Sequence, residues 1–144
     1  MADGRKIAIW VGVGCLVVLL SAACCGGAAY YFIDQMFAGP RRMANGFFDD
    51  LRQGELEDAR SRMDRAYQDT HTLDDFEQAV IQVPALRQHE AVRWSGIQVD
   101  DPNATLSGRL ETESGDLPMQ VVLERATNGY WYIERVTVQG AVMP

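Results

Sequence analysis

Two histidines, a tyrosine and two arginines are the side chains best suited to move a proton or hold an anion: His71, His89, Tyr67, Arg93 and Arg109. Histidine titrates near neutral pH and serves as a general acid or base, and tyrosine donates to a developing negative charge. His71 lies in the polar stretch Asp69-Thr70-His71-Thr72, which reads as a loop. His89 adjoins Glu90 where a helical pattern gives way to a strand pattern, so a surface pair accounts for it better than catalysis does. The two histidines have no third ligand at metal spacing. Asp49-Asp50, Asp74-Asp75 and Asp100-Asp101 look like cation ligands, but adjacent residues on a helix or strand point apart, which suits solvated faces and turns. The aromatic residues Trp94, Tyr130, Trp131 and Tyr132 suit either a pocket wall or a core, and Trp131 with Ile133 fits buried sheet positions. Asn103-Ala104-Thr105 matches a glycosylation sequon but reads as turn chemistry.

The elements that must position these residues follow from periodicity. Met43, Phe47 and Leu51 recur on one helical face, and Gly54 ends that helix. Leu56, Ala59, Met63 and Ala66/Tyr67 continue the helical spacing, with Glu55, Glu57 and Asp58 in the first turn, where the helix dipole favours them. Thr72 with Asp75 is an approximate capping box, opening a helix whose apolar face is Leu73, Phe76, Val80 and Val83 and which Pro84 stops. From Glu90 the period becomes two. Strands are predicted at about 91–99, 104–113, 118–125 and 130–139. Their turns are Asp100–Asn103, Ser114–Asp116 and the hairpin signal Asn128-Gly129. In the last strand Trp131 and Ile133 share one parity and Val136 and Val138 the other, so a bulge is expected there.

Upstream lies an uncharged run of 27 residues, Ile7–Ile33. A bilayer core about 30 Å thick needs about 20 apolar residues in a helix, so the run is long enough to span one. A cleaved signal peptide ending near Ser21-Ala22-Ala23 is one rival, and a lipoprotein signal acylated at Cys24 is another. The second departs from the usual pattern, with Ser21 where a large aliphatic residue belongs. Arg5 and Lys6 precede the run, while Arg41 and Arg42 follow it, which ties the positive-inside count. The direct contact of Arg5 and Lys6 with the run favours a cytoplasmic N-tail. Ala22/Gly26, Ala23/Gly27 and Cys25/Ala29 form a small-residue face that would allow close helix packing and a homodimer.

Composition narrows the rest. Beyond residue 42 the chain has 9 arginines and 18 acidic residues, a net charge of −9, which repels nucleic acid and anionic lipid. Of 13 basic residues only Lys6 is a lysine, a bias that suggests a GC-rich, bacterial genome. Cys15, Cys24 and Cys25 all fall in the apolar run, so the remainder has neither a disulfide nor a thiolate metal site.

Three segments resemble domains of the nuclear-transport-factor-2-like (cystatin-like) fold: Phe47–Ala59, with an F-x-x-L-x-x-G-x-x-x-x-A spacing from Phe48; Leu73-Asp74-Asp75-Phe76; and Asn128–Ile133, with G-x-W-x-I. The resemblance spans roughly Met43 to Gly140 and rests on a helix corner and a hairpin. It implies a sheet curled around a helix to leave a cone-shaped pocket. Some such domains are isomerases, cyclases or dehydratases, which need an acid or base inside the cone; others only bind, so the fold does not carry function. No strand here sets an Asp on its apolar face.

These readings together give an α+β chain: a single N-terminal transmembrane helix, then about three helices packed on a four-stranded antiparallel, curved sheet. The expected organisation is a cytoplasmic N-tail (1–6), a transmembrane helix (7–33), a linker containing Gly39-Pro40 (34–42), the α+β domain (43–140) and a C-terminal tail (141–144). The domain is expected outside the cytoplasm, binding a partner protein or small ligand without catalysis. The alternatives are a small enzyme using the cone, or an assembly factor of a membrane complex. Tyr67, His89, Trp94 and Arg109 are the expected ligand contacts. No cofactor, metal or nucleic acid is expected.

Overall fold

The computed structural model describes Gly27 and residues 37–143. The chain divides into two units, Met1–Gln35 and Met36–Pro144, and the described fold belongs almost wholly to the second. Helix α1 covers residues 37–53 and ends at Gly54, whose φ of +79° suits a residue without a side chain. Gly39-Pro40 therefore lies inside a helix rather than in a linker. Gly39 is there for proximity: a Cβ on it would lie 2.8 Å from Trp131 Cδ1.

The expected second helix is two helices, α2 (Leu56–Ser61) and α3 (Arg65–Thr70). The break occurs because the intervening backbone pairs with the sheet. The Asp64 N–H donates to the Ile133 carbonyl at 2.8 Å, and the Ile133 N–H donates to the Arg62 carbonyl at 2.9 Å. Asp64 then caps α3, accepting from the Tyr67 N–H at 2.7 Å. Helix α4 (Leu73–Gln82) opens on the full Thr72/Asp75 capping box. Pro84 follows its end and starts α5 (Ala85–Gln88).

The sheet is an antiparallel meander of five strands, β1 (Ala91–Asp100), β2 (Asn103–Thr112), β3 (Gly115–Arg125), β4 (Trp131–Val138) and β5 (Ala141–Met143), in chain order. The fifth strand corrects the expected four: the tail folds back on β4 through Gln139-Gly140, both at positive φ. The expected bulge is present, because the register shifts between Val122 and Leu123 and gives Glu134 no opposite residue. That extra residue lets Trp131, Ile133, Val136 and Val138 all point to the covered face, where all four are buried.

The expected transmembrane architecture is not supported. No helix among the described residues is long and apolar enough to cross a membrane. Helix α1 itself carries Arg41, Arg42, Asp49, Asp50 and Arg52. The run Ile7–Ile33, with its cysteines and small-residue face, lies outside the described residues apart from Gly27. The single-pass placement and the extracytoplasmic domain go with that correction.

One apolar cluster joins the helices to the covered face of the sheet. Phe47, Phe48, Leu51, Met63, Phe76, Leu106, Leu110, Val121, Leu123 and Ile133 are all fully buried, so none of them borders a void large enough for water. Edge-on ring pairs run through this layer, Phe48–Phe47 at 5.4 Å, Phe47–Phe76 at 6.3 Å and Phe76–Tyr67 at 6.2 Å. Among the described residues every buried side-chain nitrogen and oxygen has a partner.

Candidate functional site

The four expected ligand contacts do not converge. Tyr67 is buried on α3, its ring stacked on His71 at 4.2 Å and edge-on to Phe76. Burial pushes its phenol above the usual value, Asp75 adds to the rise and Arg60 opposes it. His89 follows α5 and is buried edge-on against Phe48 at 5.7 Å. Its Nδ1 lies 2.9 Å from the Leu86 carbonyl oxygen. A carbonyl only accepts, so Nδ1 carries the hydrogen in this assignment. Burial holds the imidazole below its ordinary value, against the Leu86 bond, which favours the charged form. Trp94 also leans on Phe48, at 6.1 Å, and donates from Nε1 to Asn45 Oδ1 at 2.7 Å. Its ring covers Gly108, where a Cβ would lie 3.1 Å from Trp94 Cε3. Arg109 stands on the opposite, open face of the sheet, in register with Arg93 and Pro118. His89 and Trp94 thus share one neighbour, Tyr67 is reached only through a chain of phenylalanines, and Arg109 meets none of them.

The other candidates have local partners. Arg93 pairs with Glu111 across the open face. The His71 carbonyl accepts from Arg60 Nε at 3.1 Å and Nη2 at 2.7 Å, tying α2 to the end of α3. The acidic pairs split as their spacing demands. Asp49 meets Arg52 at 3.0 Å, whereas nearly buried Asp50 meets Arg62 Nε at 2.6 Å. Gly46 leaves the space for that arginine, since a Cβ there would lie 2.5 Å from Arg62 Cζ. Asp75 is held in its capping box and Asp101 pairs with Arg125 at 2.6 Å. Among the described residues no three His, Cys, Asp or Glu side chains gather as metal ligands would.

A concavity that the sequence did not indicate lies between α3 and the β3–β4 hairpin. It encloses about 850 Å³ and is lined by Ser61, Asp64, Arg65, Ala66, Gln68 and Asp69 on one side and by residues 124–128 and Tyr132 on the other. Its walls are fixed by the pairing of Asp64 with Ile133 and by Gln68, whose Nε2 donates to the Met63 carbonyl at 2.7 Å and the Ser61 carbonyl at 3.1 Å. Arg125 is positioned at its lip by Asp101 and by the Trp131 ring, 5.9 Å from its guanidinium carbon. Asn128 Nδ2 donates to the Tyr132 hydroxyl at 3.3 Å. Arg65 and Asp69 are far more loosely paired, 3.9 Å apart and largely exposed. The lining therefore presents both charge signs beside a phenol ring. The one signal in the sequence was parity: Tyr132 alternates with Trp131 and Ile133 and so had to face outward. A smaller depression of about 380 Å³ lies between α5 and the ends of β2 to β5.

No protein-family model matches the chain, and no curated protein matches it. Comparison with solved structures shows a likeness of fold. The solution structure of a SEC-C motif containing protein from Rhodopseudomonas palustris superposes with a TM-score of 0.52 at 13% identity, over 69% of this chain and 78% of that one. A phospholipid-binding protein from Ralstonia solanacearum, solved with a phospholipid, superposes with a TM-score of 0.48 at 13% identity, over 73% of this chain and 78% of that one. Neither is described as a nuclear-transport-factor-2-like or cystatin-like protein, and that resemblance rests on the sequence segments alone. At such identity the first likeness is one of fold, and the second is too slight to argue from.

Proposed function

We propose that this domain is a non-enzymatic binding module and that its ligand site is the groove between α3 and the β3–β4 hairpin. The observation that carries the reading is the packed interior. An enzyme working between helices and sheet needs space there and a polar group facing it. Here Trp131, Phe76 and Met63 are buried in that space, and the buried titratable side chains among the described residues are engaged, Tyr67 with the His71 and Phe76 rings, His89 with the Leu86 carbonyl and Asp50 with Arg62. The groove instead offers a preformed concavity with Arg65 and Asp69 loosely held beside Tyr132. Its mixed charge suits a small polar ligand bearing both signs.

Amide chemical-shift mapping of the full chain against a set of zwitterionic fragments tests this. The expected shifts fall on Arg65, Asp69, Glu124 and Tyr132, and Tyr132→Ala weakens those hits at least threefold while His89→Gln leaves them unchanged. Hits centred on Tyr67 and His89, or none in the groove, would overturn the assignment.

A further inference from the structure

Strand β1 is the outermost strand of the sheet, paired with β2 from Ala91 to Asp100. Among the described residues no backbone group hydrogen-bonds to its other edge. An open edge of ten residues is a template for another strand, and proteins usually blunt one with charges, proline or a bulge. β1 has no proline. It has a bulge at Ser95, between Trp94 and Gly96, and the charges Arg93 and Asp100.

These features complement one another. The register to β2 sets Arg93, Gly96, Gln98 and Asp100 on the open face, and Trp94, Ile97 and Val99 on the helix-covered face. With the bulge counted as one pleat position, the strand is symmetric about Ile97. Antiparallel pairing with an identical strand across a two-fold axis at Ile97 places Arg93 opposite Asp100 of the copy, twice. It also places Trp94 opposite Val99, and Gln98 opposite the bulge. Residues directly opposite must share a face, and every one of these pairs does. Moving the axis one pleat position either way separates Arg93 from Asp100. Arg93 is largely exposed and reaches Glu111 on its inner side, while Asp100 has no cationic partner among the described residues. Charges meant only to repel strands would not be opposite in sign at mirrored positions. An edge contact between identical patches is also the form a closed two-fold dimer requires.

We propose that the chain self-associates through β1 as a two-fold dimer, joining two five-stranded sheets edge to edge. The second copy is the occupant of this edge.

The full chain, kept dispersed in mild detergent, is followed by sedimentation velocity over a range of concentrations. Arg93→Asp and Asp100→Arg each set like charges opposite and are expected to weaken dimerisation at least tenfold. The double variant R93D/D100R rebuilds the pairs and is expected to recover most of the loss. A nitroxide on Gln98→Cys, with Cys15, Cys24 and Cys25 replaced by Ser, gives a readout independent of those variants. Gln98 and its copy flank the axis, about 8 Å apart at the backbone, so strong dipolar broadening is expected. A label on Thr137→Cys, across the sheet, should show none. A monomer at all concentrations overturns the proposal. So do association insensitive to the charge reversals, a double variant no better than the single ones, and a dimer without broadening at Gln98.

Discussion

Phe76→Ala is the perturbation that weighs the packed interior most heavily. The ring is fully buried and meets Phe47 at 6.3 Å and 72° and Tyr67 at 6.2 Å and 83°, both edge-on. Truncating a buried phenylalanine costs about 3–5 kcal/mol, transfer and cavity terms together. Each edge pair carries about 0.5–1.5 kcal/mol beyond its buried area. With two such pairs lost, the expected cost lies at the top of that range, about 4–5 kcal/mol. Domains are stable by only about 5–15 kcal/mol, so the variant should remain folded but lose much of its reserve. Equilibrium urea unfolding of the full chain, read by far-UV circular dichroism, measures this as a lower midpoint at unchanged slope. A loss under about 2 kcal/mol at unchanged slope would refute the reasoning, because it would mean that the ring borders free space or that the site collapses without cost.

Stability should also depend on pH through His89. Its native pKa lies below the ordinary value of about 6.5, so as pH falls the unfolded chain takes up this proton first. The contribution is complete above about pH 6.5 and declines below it until native His89 also protonates. His89→Gln should flatten that slope in denaturation series taken at successive pH values; an unchanged slope would remove His89 as its source. Asp75, held low chiefly by its bonds from Thr72, acts in a separate window: its stabilisation is present above about pH 3.9 and fades only below it. Gly108→Ala should destabilise more than an exposed strand substitution, by about 1–3 kcal/mol, since a Cβ would collide with the Arg93 carbonyl and crowd Trp94; a melting temperature within a degree of the parent would show that β1 yields freely.

Much of the domain was legible in local patterns because local physics decided it. The Thr72/Asp75 box, the αL glycine after α1, the hairpin at Asn128-Gly129 and the β4 bulge each follow from a few neighbouring residues. The split between α2 and α3 was not legible, because residues 62–64 leave the helix to pair with Ile133, seventy residues away in sequence. β5 was hidden by its length, since Ala141–Met143 is too short to display a period. Gly39-Pro40 reads locally as a break, yet its backbone is helical and Gly39 is selected by contact with Trp131. The functional candidates fared differently. Residue type pointed to Tyr67, His89, Trp94 and Arg109, but type does not reveal that three are packed around phenylalanines and the fourth faces away. The groove draws on α3 and a distant hairpin, a juxtaposition that only the tertiary fold creates.

Xenon binding tests the central claim, a filled helix–sheet interior, most directly. Xenon enters apolar cavities that water leaves empty. In methyl-detected spectra of the full chain under xenon pressure, Leu106, Val121, Leu123 and Ile133 should not shift, whereas the cavity opened by Phe76→Ala should shift the nearest of them. Saturable xenon shifts at these methyls in the unaltered chain would reveal an interior pocket and contradict the account.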